Sequence, residues 1–198
     1  MDHSQRTRVR AGDHDEFGVL FTEHARAVYN HAFRLTGNWS AAEEVVSLTF
    51  LEAWRLRGTV RPDGGSLLPW LLGIALNVAR NVSRAARRHQ AAMSRLPQAQ
   101  SVPDFADELA GRIDDAEQIR RVHAAIAGLR RAERDVLALC VWSGLDYAEA
   151  AEALGVPVGT VRSRLSRARR KLQDQTSRNR EPGSASEQVS GDRVGGTR

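Results

Sequence analysis

The sequence predicts an all-α fold: two small helical domains joined by a flexible acidic linker, the second ending in a helix-turn-helix. Three observations predict it. Apolar residues recur at helical spacing over residues 16–90 and again over 114–173. Helix-capping residues and terminating glycines punctuate both stretches. No strand-like alternation and no internal repeat interrupts them. A chain of 198 residues allows one or two domains at roughly 150 residues per domain.

Residues 1–15 are polar and charged and are expected to be disordered. A first helix is predicted from about Glu16 to Leu35, since Phe17, Leu20, Phe21, His24 and Val28 share one face and Gly37 suits a C-cap. Ser40 with Glu43 three residues later has the pattern of a capping box. The helix it would open has an apolar stripe of Val45, Val46, Thr49, Phe50, Ala53 and Trp54, ending near Leu56. Residues 58–66, GTVRPDGGS, have loop composition. Pro69 suits the first turn of a third helix, which Leu71, Ile74, Ala75, Val78 and Val82 carry to about His89. Residues 91–113, with two prolines and several Gln and Ser, read as a linker. Short helices resume over 114–173, one closed by Gly144 and another opened by Asp146 with Glu149. The tail, 174–198, is rich in Ser, Gly, Gln and charge and is expected to be disordered.

Charge is distributed unevenly. Residues 64–103 carry five arginines and no acid, and residues 153–173 carry six basic residues and no acid. Between them, residues 104–117 carry six acids and one arginine. The net charge of +5 therefore rests on two basic segments separated by an acidic one, which points to a polyanionic partner, nucleic acid first. Of 29 basic residues only Lys171 is a lysine. Arginine favours bidentate contacts to phosphate or guanine, although a genome-wide compositional bias explains the preference equally well. A single cysteine, Cys140, excludes an intramolecular disulfide and a cysteine-based metal cage. No apolar run approaches the roughly 20 residues that span a bilayer, and residues 1–16 lack the apolar core of a signal peptide. A cytoplasmic protein without direct membrane insertion is expected.

The most specific local signal is YAEAAEALGVPVGTVRSRLSRARRKL, residues 147–172. One helix is predicted to end at Leu154, Gly155 to make the tight turn, and a second helix to follow from about Thr160, its expected N-cap. Ala151 supplies the small residue needed where the helices cross, and Val156 and Val161 lock the second against the first. Val161, Leu165, Ala168 and Leu172 fall on one face, leaving Arg162, Ser163, Ser166, Arg167, Arg169 and Arg170 on the rest of the surface. Arginines without acids gain no i,i+4 pairing and repel one another, so a merely solvated face is a poor explanation. A recognition helix meets base edges with its N-terminal part and phosphates with its flanks. Arg162 and Arg164 are candidates for bases, Arg167 and Arg170 for phosphates; the sequence does not divide these roles, and the Arg164 stem can equally pack sideways.

GLDYAEAAEALGVPVGTVRSRLSRARRKL closely resembles the C-terminal promoter-reading domain of bacterial RNA polymerase sigma factors, and is most similar to the extracytoplasmic-function (ECF) group. FTEHARAVYNHAFRLTGNWSAAEEVVSLTFLEAW resembles the part of the first sigma domain that docks on the polymerase clamp, and LLPWLLGIALNVARNVSRAARR the adjacent stretch that melts and reads the downstream element. The resemblance covers about residues 17–90 and 115–173. It implies an upstream-element set of Thr160, Arg162, Ser163, Arg164, Ser166, Arg167, Arg170 and Lys171. It implies a downstream-element set of Trp70, Asn77, Arg80, Asn81, Arg84, Arg87 and Arg88, the last two as nonspecific phosphate contacts. It also implies polymerase binding by Glu43, Glu44, Val45 and Phe50, with core packing as the competing role for Phe50 and helix capping as a compatible one for Glu43. Core packing is the stronger expectation for Trp70. The implied partners are core RNA polymerase, promoter DNA and an anti-sigma factor, with no cofactor and no small-molecule substrate. Three departures stand out: Asn81 where many relatives carry an acid, Arg130 where proline is common, and SAAEE at 40–44, where an acid often stands earlier.

No catalytic constellation emerges, so a non-enzyme is expected. The six histidines lack metal-ligand spacing, and His24 on its apolar stripe reads as a satisfied core residue. Asp114 and Asp115 read as linker or helix-start charge, and Gly64-Gly65 lacks the context of a phosphate loop. Cys140 between Leu139 and Val141 reads as buried. The alternative to an initiation factor is a free-standing helix-turn-helix regulator that binds duplex operators as a dimer. It would need a dimerisation helix or a receiver domain, and residues 16–90 carry neither heptads nor phosphoacceptor chemistry.

Overall fold

The computed structural model describes residues 3–93, 126 and 128–179. Among these every regular element is helical. The expected linker beyond Met93 and the tail beyond Asn179 lie outside the described residues.

The N-terminal body begins earlier than its hydrophobic pattern. Helix α1 (His3–Ala11) occupies a stretch expected to be disordered. Its composition is polar, and tertiary contacts hold it: Val9 is fully buried, Arg6 is 3% exposed, and Arg10 Nη1 donates to the Val60 carbonyl at 2.7 Å. Helix α2 (His14–Thr36) opens on Asp13, whose side chain accepts from Glu16 N, and closes on Gly37 at φ 64°, whose N–H reaches the Phe33 carbonyl. Helix α3 (Trp39–Leu56) is capped by Asn38, whose Oδ1 accepts from Ala41 N at 2.9 Å. The expected Ser40–Glu43 capping box is therefore corrected: Ser40 lies inside the first turn. Asn38 stands two residues earlier and its side chain reaches the free N–H groups first. Helix α4 (Leu68–Met93) follows the loop, with Ser66 Oγ accepting from Leu68 N. Leu20, Val28, Val45, Ala53, Leu71, Leu72 and Ala75 interleave as the core of α2, α3 and α4. His24 is buried on the core face, but its Nε2 has no hydrogen-bond partner, so it is not the satisfied residue expected.

In the C-terminal body, α5 spans Arg131–Leu137, with Arg130 at the position where the family resemblance led to the expectation of a proline. The Glu133 carboxylate accepts from the Arg130 N–H at 2.8 Å, so the helix start is secured without one. The chain continues through a π-helical turn over Ala138–Trp142, ends at Gly144 (φ 71°), and enters α6 (Tyr147–Leu154) through a reciprocal box. There Asp146 Oδ1 accepts from Glu149 N at 2.8 Å and Glu149 Oε2 from Asp146 N at 2.9 Å. Gly155 turns at φ 63° into α7 (Val158–Asn179).

The two bodies pack on each other chiefly through α4 and α6. Gly73 of α4 lies against the Ala153 backbone of α6, and a Cβ there would overlap the Ala153 carbonyl. His31 of α2, 1% exposed, shares a 2.7 Å hydrogen bond with Ser143 Oγ, and Arg34 donates to the Trp142 carbonyl.

Candidate nucleic-acid interface

Helix α7 is held by its apolar side: Val161, Leu165 and Ala168 are buried and Leu172 packs at the edge. Arg162, Ser163, Ser166, Arg167, Arg169 and Arg170 are exposed, on the side opposite the contact with α5 and α6. The helix begins two residues before Thr160, because the Pro157 carbonyl accepts the N–H groups of both Thr160 (2.9 Å) and Val161 (3.3 Å). Thr160 is thus not the N-cap; it sits half-buried in the first turn. Arg162 lies over the Tyr147 ring of α6 at 5.9 Å, and Arg167 Nε donates to the Ser163 carbonyl of its own helix at 3.2 Å. Arg164 is half-buried, in keeping with a stem packed sideways.

Lys171 departs from the upstream-element set. Its Nζ sits 2.8 and 3.1 Å from the two oxygens of Glu133, a residue 4% exposed on α5. That bond holds the Glu133 carboxyl below the usual carboxylate range. The only lysine is a tie between helices.

On α4 the side chains predicted to meet the downstream element divide. Asn77, Asn81, Arg84, Arg87 and Arg88 are exposed. Trp70 is half-buried against the core, as its competing role requires. Asn77 Oδ1 accepts from Arg80 Nη1 at 2.7 Å, while Arg80 Nη2 lies 2.6 Å from Asp135 Oδ2 of the other body. Asn81 borders a groove of about 560 Å³ with Asn77, Leu48, Leu51 and Ile74. A larger cleft of about 940 Å³ opens between the bodies and brings Arg80, Arg84 and Arg87 into one lining with Arg131 and Arg134. Sequence reading missed Arg131 and Arg134, whose approach to α4 depends on how the bodies pack.

The polymerase-binding set needs one correction. Glu43 and Glu44 are exposed, but Val45 is fully buried and Phe50 is 5% exposed, so neither can touch a partner while α3 is folded. Phe50 instead meets the rings of Phe17 (6.3 Å) and Phe21 (4.7 Å). The apolar residues α2 and α3 do present outward are Val19, Phe21, Leu48 and Leu51, the last 67% exposed. The exposure of Val19 and Leu51 could have been read from their spacing opposite the buried stripes, whereas Phe21, expected on the apolar face of α2, is 46% exposed.

No helix among the described residues is long and apolar enough to cross a membrane. Cys140 is half-buried, and burial raises its thiol pKa, which disfavours a reactive thiolate.

Two family models match: Sigma-70 region 2 over residues 20–89 and Sigma-70 region 4 over residues 119–172. The chain is 32% identical to RNA polymerase sigma factor CarQ of Myxococcus xanthus, covering 84% of this chain and 92% of that protein. It is 32% identical to the ECF RNA polymerase sigma factor SigL of Mycobacterium tuberculosis, over 78% of this chain and 85% of the relative. Among solved structures, CnrH in complex with the cytosolic domain of CnrY is similar with a TM-score of 0.65 at 25% identity, covering 90% of this chain and 98% of that one. RpoE of Bartonella quintana, solved with the anti-sigma factor NepR, shares the fold at a TM-score of 0.55 and 24% identity, over 82% and 97% of the two chains. The two family matches and the relatives agree: this protein belongs to the RNA polymerase sigma factors of the ECF group and serves promoter-directed transcription.

Proposed function

We propose that this sigma factor binds core RNA polymerase through α2 and α3, reads the upstream promoter element with α7, and captures and reads the opened downstream element with α4. The observation that carries the reading is the exposed arginine face of α7 from Arg162 to Arg170, in a stretch with no acid between Val158 and Gln173, displayed by a capped helix-turn-helix whose opposite side is buried. A helix of that kind meets base edges with its N-terminal residues and phosphates with its flanks. Arg162, Ser163, Ser166, Arg167 and Arg170 form the upstream set, with Thr160 and Arg164 at its margin. Asn77, Asn81, Arg84, Arg87 and Arg88 line the exposed side of α4, with Arg80 beside them. Cationic and amide groups there suit an unpaired strand with its backbone neutralised and its bases turned out.

Glu43 and Glu44, next to exposed Leu48 and Leu51, give the polymerase-facing surface an apolar centre and an acidic rim. The chemistry of RNA synthesis belongs to polymerase, and this chain contributes binding and positioning. It would act in the cytoplasm, where DNA and polymerase are. The CnrH structure is of a complex with the cytosolic domain of CnrY, which supports a further protein partner here, of the kind an anti-sigma factor would be.

Footprinting tests the reading. With core polymerase present, the chain should protect two separated elements of one promoter, with reactive unpaired bases at the downstream one. Equal protection of a duplex operator by the chain alone, unaltered by polymerase, would favour the free-standing regulator instead.

A further inference from the structure

Helix α1 lies outside the Sigma-70 region 2 match, which begins at residue 20, yet it is bonded to the segment that leads into α4. Arg6 and Arg10 stand one turn apart on it and reach the same loop. Arg6, 3% exposed, donates from Nε to the Gly65 carbonyl at 2.8 Å, from Nη1 to the Arg61 carbonyl at 3.0 Å and from Nη2 to the Ser66 carbonyl at 3.0 Å. Its Nη2 also reaches Glu152 Oε1 of α6 at 3.2 Å. Arg10 Nη1 donates to the Val60 carbonyl at 2.7 Å. Two side chains of one helix thus hold four loop carbonyls between residues 60 and 66.

The loop is fitted to this clasp. Gly64 adopts φ 149°, a conformation that residues with a Cβ rarely take, and a Cβ built there would lie 2.8 Å from the Arg6 guanidinium carbon. Glycine at 64 therefore lets the chain close over the arginine. Adjacent glycines would otherwise give the loop many shapes, each to be given up when a ligand is bound.

The clasp also decides what the loop presents outward. Residues 61–65 are exposed, and Ser66 caps the next helix, its Oγ accepting from Leu68 N at 3.1 Å. The bonded carbonyl oxygens, whose negative ends would oppose a phosphate, are turned inward onto a buried cation. On the outer side stands Arg61, 74% exposed and paired with Asp63, 70% exposed, at 3.0 Å. An ion pair that open to water is weak, so a phosphate can replace the carboxylate.

We propose that Arg6 and Arg10 are positioning residues for promoter opening: α1 presets the loop so that Arg61 and the exposed side of α4 meet the unpaired strand as one surface. The proposal rests on the reading of α4 as the strand-capturing helix. If the loop without its clasp takes the strand-ready shape about one time in ten, the apparent strand affinity falls about tenfold.

The test uses holoenzyme made with the full chain, on a host promoter fragment from which wild type initiates. Abortive-initiation rates against holoenzyme concentration separate duplex binding from opening, and permanganate reports unpaired thymines. Arg6→Ala should reduce opening about tenfold. Its duplex-binding constant, upstream footprint and competition for core polymerase should match wild type. Gly64→Ala keeps both arginines, forces the loop off the guanidinium and should give the same split. Glu152→Gln removes the contact to α6 while keeping the loop bonds, and should open promoters like wild type. Circular dichroism melts set a temperature at which every variant is folded. Unchanged opening in Arg6→Ala and Gly64→Ala, or equal losses in binding and opening, overturns the proposal. Opening as poor in Glu152→Gln as in Arg6→Ala also overturns it, since the loop would then not be the cause. If wild type itself initiates from no fragment, the sigma reading fails and the proposal with it, whereas normal opening by the variants removes the proposal alone.

Discussion

Lys171 Nζ lies 2.8 Å from Glu133 Oε2, joining the recognition helix to the first turn of α5. The same carboxylate accepts the Arg130 N–H, so one buried acid starts a helix and anchors another. The ammonium side is 37% exposed and the carboxylate side 5%.

Lys171→Met should destabilise the C-terminal body by roughly 1–2 kcal/mol, below the cost of breaking a wholly buried pair because Lys171 is partly hydrated. Glu133 has a lowered pKa in the folded protein, so its pairing stabilises the fold above the ordinary carboxylate pKa and is lost as pH falls through the folded value. Thermal melts of wild type and variant should therefore differ near neutral pH and converge in acid. A constant difference across that range would remove the ion pair as the cause.

His31 takes up its proton at lower pH than an ordinary surface histidine. Burial, with a smaller contribution from the Arg34 charge, lowers its pKa from 6.5 to about 4. The unfolded chain binds the proton first, so stability falls as pH drops from about 6.5 and levels off near 4, by about 3 kcal/mol at most. His31→Asn should flatten this part of the stability–pH curve, measured by urea melts at several pH values. A slope equal to wild type would assign the acid sensitivity to other groups.

Leu51→Asp should weaken the complex with core polymerase at least about tenfold, the loss expected when an exposed apolar anchor worth about 1.4 kcal/mol is replaced. Leu51 is 67% exposed, so the melting temperature should hardly move. Competition against a labelled sigma factor for core polymerase reads the affinity. Undiminished competition would move the docking surface away from α3.

Arg167→Ala should lower the affinity of holoenzyme for the upstream element and reduce the slope of log K against log salt by about one, the signature of one lost phosphate contact. Its Nε bond to the Ser163 carbonyl is within its own helix and leaves the rest of the guanidinium for DNA. An unaltered slope would take Arg167 out of the phosphate-binding set.

What the sequence made legible was local. Gly37, Gly144 and Gly155 each adopt the left-handed conformation expected of a helix-ending glycine, and Asp146 with Glu149 forms the capping box its spacing predicts. The buried face of α7 follows from the spacing of Val161, Leu165 and Ala168. What escaped depended on distant partners. Helix α1 has almost no apolar content, and Arg6 is buried only because its acceptors come from residues 61, 65, 66 and 152. Lys171 looked like one more cation on a basic helix, since Glu133 stands 38 positions away. Val45 and Phe50 came by resemblance as partner contacts, and burial reassigns them to the core that holds α3 in place. Ser40 misled for a different reason: two good capping residues stand two positions apart, and the sequence does not rank them.

The most direct test is run-off transcription with purified core polymerase on a pool of host promoter fragments, with and without this protein. Discrete start sites should appear only when the chain is present, and both Leu51→Asp and Arg167→Ala should reduce them. No new start sites, together with no stable complex between the chain and core polymerase, would contradict the proposed function.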